Sequence, residues 1–170
     1  MLVREAVAAD LERVAEIKVS NWADTYGPLL DARTLEPFLD TTAQLAYMRE
    51  AAGAPGTLLL VAEDGDAIVG FALTYADRDP EPWMESLHVL RELRSRGVGR
   101  SLMAATAREL RARGHDTLRL GVVDGNTAAS RFYERLGAAH AGRERAAWAP
   151  HVWHDLYRWS DLERLTLPRG

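Results

Sequence analysis

The sequence predicts one α/β domain organised on a mixed sheet, and three observations predict it. Short apolar runs of strand length alternate with stretches of helical period, in the order strand, helices, hairpin, strand–helix, strand–helix, terminal hairpin. At 170 residues the chain is long enough to bury a sizeable core and suits a single domain. No internal repeat, low-complexity tract or long linker divides it.

Leu2 to Ala6 reads as a short first strand. Asp10 is the expected N-cap of a helix carrying Leu11, Val14, Ile17 and Lys18 at helical spacing. Asn21 to Leu30 then brings Trp22 and Tyr26 before a Gly-Pro break. Thr34 to Ala52 reads as one further helix, with Leu35, Phe38, Leu45 and Met48 on its apolar face, stopped by Gly53-Ala-Pro-Gly56. Thr57 to Ala62 and Ala67 to Tyr75 form a hairpin around an Asp-Gly turn. After the loop Asp77 to Pro82 comes a strand, Met84 to Val89. Strict alternation puts Met84, Ser86 and His88 on one face and Glu85, Leu87 and Val89 on the other. A glycine-bearing turn leads to a helix through Leu102, Met103, Thr106 and Leu110, capped by Gly114. Thr117 to Val123 is a strand, Asn126 caps a helix through Leu136 that Gly137 ends, and His140 to Trp159 supplies two strands around Ala149-Pro150.

Composition narrows the function classes. Lys+Arg 21 against Asp+Glu 25 leaves a net charge of −4, which disfavours nucleic acid as a partner. The absence of cysteine excludes disulfides, thiol catalysis and thiolate metal sites. No apolar run approaches a membrane span and the first residues lack the apolar core of a signal peptide, so the expectation is a cytoplasmic protein with no membrane partner.

Chemistry concentrates between Arg91 and Ser101. A strand, a turn with Gly97 and Gly99, and a helix start aim free backbone N–H groups and a positive helix end at a common point, where an anion is the expected guest. The turn is no P-loop, since no Lys follows the last glycine, and no dinucleotide fingerprint, since Leu102 stands where a third glycine belongs. Two readings stay open: a tight bend without a ligand, or a phosphate cradle. Arg91, Arg94, Arg96 and Arg100 crowd ten residues of an otherwise acidic chain and favour the cradle, with pyrophosphate as its ligand.

These residues resemble the GCN5-related N-acetyltransferases (GNAT). That family's acetyl-CoA motif, R/Q-x-x-G-x-G/A, is matched by Arg94, Gly97 and Gly99, with Ser95 where a common fuller form has glycine. A later motif, N-x-x-A-x-x-F/Y-Y-x-x-x-G, is matched from Asn126 through Ala129, Phe132 and Tyr133 to Gly137. The resemblance implies a single-domain GNAT-like fold over residues 1–170: a mixed, mostly antiparallel central sheet with helices on both faces. It also implies that the turn of Arg94, Ser95, Arg96, Gly97, Val98, Gly99, Arg100 and Ser101 holds the CoA pyrophosphate through its N–H groups from Arg96 onward. Leu87, His88 and Val89 would pair with the pantetheine arm as an added strand does, and Asn126 would contact the pantetheine amides or order the strand end. Tyr133 would offer its hydroxyl, a phenol of pKa similar to a thiol, to the leaving sulfur.

For the proton of the attacking amine the carboxylate of Glu85 is the expected catalytic base, with Asp124 and His88 as other candidates and His88 read as a packed residue. Oxyanion donors would be main-chain N–H groups near Leu87, freed by a bulge that the sequence does not reveal. Trp22, Tyr26 and Glu85 are the expected acceptor-binding residues. The Asp77 to Pro82 loop and the Ala147 to His154 turn would complete that side with Trp83, Trp148, Trp153, Asp24 and Asp79. His151 and His154 find no third ligand, so no metal is expected. The reading is an N-acetyltransferase passing an acetyl group from acetyl-CoA directly to a primary amine, with a homodimer left open. A non-catalytic acyl-CoA-binding domain and a protein-interaction module are the alternatives.

Overall fold

A computed structural model of the protein describes residues 1–166; the last four of the 170 over which one domain is expected lie outside the described residues. Seven strands form one sheet in the order β1-β2-β3-β4-β5-β7-β6. They are β1 (Leu2–Glu5), β2 (Thr57–Asp64), β3 (Ala67–Tyr75), β4 (Trp83–Val89), β5 (Leu118–Val123), β6 (Ala139–Ala146) and β7 (Ala149–Trp159). Every neighbouring pair is antiparallel except β4–β5. The helices are α1 (Leu11–Tyr26), α2 (Ala32–Leu35), α3 (Thr41–Gly53), α4 (Val98–Ala112), α5 (Thr127–Arg135) and α6 (Glu163–Thr166).

The two-residue period sorts the core into layers. Leu58, Leu60 and Ala62 of β2 point to the face covered by α4, among Leu102, Met103 and Leu110. Leu59 and Val61 point to the opposite face, against Val14 and Ile17 of α1 and Met48 of α3. Both faces of β2 and β3 are thus buried, which is why these strands read as near-continuous apolar runs. A third cluster, Val123, Ala146, Ala149 and Val152, closes onto Tyr26, Leu30 and Trp148 and ties the end of α1 to the far half of the sheet. The mixed, mostly antiparallel sheet with helices on both faces holds as expected.

Four local expectations are corrected. Asp10 does not cap α1 with its side chain. It belongs to a preceding 3₁₀ turn, where its carboxylate accepts from the Val7 N–H at 2.7 Å and from Arg4 Nη1 at 2.7 Å. The single helix expected from Thr34 to Ala52 is broken: Pro37 sits in a 3₁₀ turn, Glu36–Phe38, and Asp40 restarts α3 by accepting from Ala43 N–H at 3.1 Å. The terminal turn is only Ala147-Trp148, since β7 begins at Ala149. The fourth correction bears on function. Opposite β3, Leu73 pairs with Ser86 but Thr74 pairs with Met84, so Glu85 is the extra residue of a β-bulge. Alternation therefore restarts there, and Met84, Leu87 and Val89 all join the α4 side.

Arg4 bridges Asp10 and Glu63 and holds the Asp10 carboxyl below its ordinary range. A depressed carboxylate stabilises above its unfolded pKa, near 4, and loses that contribution as pH falls through its folded value. Replacing Asp10 with Ala is expected to cost about 2 kcal/mol in urea unfolding at pH 7, and the gap to wild type should shrink as the titration is taken to acid.

Candidate active site

β4 and β5 run parallel but meet in register at one pair only, Trp83 with Arg119, and part from there. The gap opens a cleft of about 650 Å³. Its walls are β4 from Met84 to Val89, β5 from Leu120 to Val122, the end of α1 and the segment after it from Asn21 to Leu29, the turn at Arg91, Arg94, Ser95 and Gly99, and α5.

The backbone of β4 is set for a guest. Leu90 N–H donates to Val69 O of β3 at 2.9 Å, so the alternating peptide direction turns Leu87 and Val89 toward the gap. Val89 O is already taken, by Asn21 Nδ2 at 2.9 Å and Arg94 Nε at 3.3 Å. Leu87 is left with its N–H and C=O facing the cleft, two residues past the bulge. Of the three strand residues expected to pair with a pantetheine, Leu87 is thus the one presented. His88 turns to α1, its ring 5.3 Å from that of Phe71 and its Nδ1 3.4 Å from Asn21 Nδ2. Burial pushes its imidazole down to about 3, with Lys18 and Arg94 adding to the fall.

The turn is shaped by two left-handed residues, Ser95 at φ 66° and Gly97 at φ 86°. Gly97 is the N-cap of α4, so the N–H groups of Val98 and Gly99 have no carbonyl a turn earlier to bind. Arg96 N–H returns to Leu93 O at 3.4 Å and Ser101 N–H to Gly97 O at 2.9 Å, so both ends of the expected cradle are spent on the protein. The side chain of Val98 is buried in the core, and only its backbone faces the turn. A Cβ at Gly99 would lie 3.1 Å from the Phe132 ring, so glycine keeps the backbone open there. Arg94, Ser95 and Gly99 line the cleft; Arg96, Gly97, Arg100 and Ser101 do not.

α5 brings Tyr133 and Asn126. Asn126 caps the helix by accepting from Ala129 N–H at 3.3 Å, and it lines the cleft together with Tyr26. The Tyr133 ring is clamped edge-on by Phe132 and Trp159. Burial, with Tyr26 nearby, pushes its phenol well above the ordinary value, so the match to a thiol expected from sequence is not found. Tyr133 keeps its proton.

Glu85 lines the cleft and accepts from the Trp83 indole N–H at 2.9 Å. The bulge turns it to the side of Lys18 and Tyr47, the side that His88 also faces, and not to the opposite face that alternation implied. Tyr26 and Asp24 line the cleft beside it. Trp22 does not: it is buried, stacked on Phe38 at 4.0 Å and set edge-on to Trp148 at 5.3 Å. His151 bonds Thr34 Oγ1 at 2.9 Å while His154 is buried against Trp148, so the two histidines diverge. Sequence reasoning missed Asn21, which anchors β4 from α1, and passed over Lys18 as a member of the apolar stripe. The signal was there: two polar residues on the buried stripe of α1.

Fold and cleft together define an α/β domain with a parted sheet beside a glycine-capped helix start. The sequence matches the acetyltransferase (GNAT) family over residues 15–138. The chain belongs to that family, which places it among the acetyltransferases. A streptothricin acetyltransferase from Streptomyces lavendulae is 34% identical over 105 residues, 59% of this chain and 55% of that protein. The match thus spans about half the length of that relative. Among solved structures, a ribosomal-protein-alanine N-acetyltransferase from Brucella melitensis superposes with TM-score 0.73 at 23% identity, covering 94% of this chain and 99% of that one. A PaiA N-acetyltransferase from Thermoplasma acidophilum, solved in complex with coenzyme A, gives TM-score 0.74 at 17% identity, covering 92% and 96%. At these identities the likeness is one of fold.

Ser95 occupies backbone that costs a non-glycine residue about 1 kcal/mol. Ser95→Gly should leave stability unchanged or slightly raised, and β-branched Ser95→Val should lower it by more than 1 kcal/mol. Paired urea titrations read the difference.

Proposed function

We propose that the protein transfers an acetyl group from acetyl-CoA to a primary amine by direct attack within a ternary complex. The observation that carries this is the parting of β4 from β5 beside the N–H groups of Val98 and Gly99. It offers an extended amide chain a strand edge at Leu87, and a diphosphate a helix start, in one continuous cleft.

Leu87 N–H receives the thioester oxygen as it gains charge, held ready by the bulge before it. The amine approaches from the end of α1, where Asp24 and Tyr26 line the cleft, and Glu85 takes its proton, directly or through water. Tyr133, still protonated, donates a hydrogen bond to the sulfur as the carbon–sulfur bond breaks. The sulfur leaves as a hydrogen-bonded thiolate that regains its proton from solvent, and Glu85 returns its own proton there. Asn126 and Tyr26 hold the roof between the two substrates. With no cysteine in the chain, no thiol is present to carry the acetyl group between two half-reactions. The acceptor is a small molecule or peptide carrying the amine.

A panel of amines incubated with acetyl-CoA should show thiol release with at least one member. Tyr133→Phe should lower kcat by about 100-fold, the lower end for removing one hydrogen-bond donor from developing charge, while acetyl-CoA binding by calorimetry stays within a few-fold. Ping-pong kinetics, with acetyl label left on the protein after CoA is removed, would overturn direct transfer.

A further inference from the structure

Of the 21 lysine and arginine residues in the sequence, only Lys18 is a lysine. It is also buried in the fold, 5% exposed, on the face of α1 that lies beneath β4. Its ammonium stands 4.3 Å over the Tyr47 ring, and among the described residues no carboxylate comes within ion-pair distance of it. Asn21, one turn further along α1, ties β4 through Val89 O and reaches His88. A lone buried cation is expensive to keep unless it is used.

We propose that Lys18 is a positioning residue of the transfer reaction, whose buried ammonium on α1 places a positive charge beside Glu85 and His88 on the strand that carries the chemistry. The inference rests on the acetyltransfer reading above. A guanidinium would stay charged at any working pH; a buried amine does not. Burial draws Lys18 down to about 8, and Glu85 pulls the other way. The charge under the strand is therefore present at neutral pH and is lost as pH rises through about 8. While present it adds to the burial that holds the His88 imidazole neutral.

The groups facing this position come from every neighbouring element. β4 supplies Glu85 and His88, α3 supplies Tyr47 with Glu50 behind it, and β3 supplies Tyr75, whose hydroxyl meets that of Tyr47 at 2.8 Å. Arg94 adds its field to His88 from the turn, and His154 on β7 senses Glu85. None of these is a second ammonium, so the transition belongs to Lys18.

Because the chain has one lysine, protein labelled with ¹⁵Nζ-lysine gives a single side-chain resonance, and its titration reads Lys18 directly in the absence of substrate. The expected midpoint is near pH 8, and it should fall further in Glu85→Gln. Lys18→Met should lose at least tenfold in kcat at pH 7, with the acetyl-CoA KM within twofold of wild type and a melting temperature no lower, since an unpaired buried charge is removed. A lysine midpoint at 10 or above, a midpoint indifferent to Glu85→Gln, or an unchanged kcat in Lys18→Met would each overturn the proposal. Wild-type protein that releases no thiol with any amine would instead sink the transfer reading itself.

Discussion

The single pairing between Trp83 and Arg119 is the constraint on which the rest of the molecule depends. Two parallel strands that part after one pair leave a row of peptide groups with no partner from the sheet, which a buried sheet does not tolerate unless something else fills the gap. The protein answers in part by itself: Asn21 and Arg94 take Val89 O. It leaves the Leu87 N–H and C=O facing the gap. The bulge at Glu85 belongs to the same device, because an extra residue twists β4 away from β5 and re-aims every side chain beyond it.

Helix α4 extends this logic to the other end of the cleft. Its first N–H groups would need capping by a side chain, and the N-cap is Gly97, which has none to offer. The helix thus begins on an unsatisfied turn, with arginines around it and the Phe132 ring packed close to Gly99, where a Cβ would crowd it. Both ends of one cleft are short of hydrogen-bond partners, and their separation is bridged by the same strand and helix that form the core. Stability and ligand binding are in this sense built from one set of elements.

How legible this was depended on which physical signal each residue carries. The order of elements could be read because strand and helix periods are written into apolar spacing, as with Leu58 to Ala62 or Leu102 to Leu110. The turn could be read because glycines and clustered arginines are local and chemical. The bulge could not, since Met84 to Val89 alternates equally well with or without an extra residue, and only the pairing with β3 decides. Trp22 fails for a related reason. Helical spacing says that an aromatic is on the inner face, and not whether that face meets a cleft or, as here, Phe38 and Trp148. The Tyr133 phenol was misjudged because its environment of Phe132, Trp159 and Tyr26 is assembled from three separate elements.

Lys18 and Asn21 illustrate a rule that cuts between these cases. On a helix face that buries Val14, Ile17 and Trp22, a lysine and an asparagine one turn apart are local facts, visible without a structure. Their meaning is not local. Asn21 is satisfied by Val89 O of the strand with the bulge, while Lys18 stands over Tyr47, so the anomaly in α1 and the anomaly in β4 are two halves of one arrangement. An apolar stripe interrupted by polar residues thus points across the sheet to the segment whose backbone departs from regular pairing. In this chain the interruption points to Glu85, Leu87 and His88.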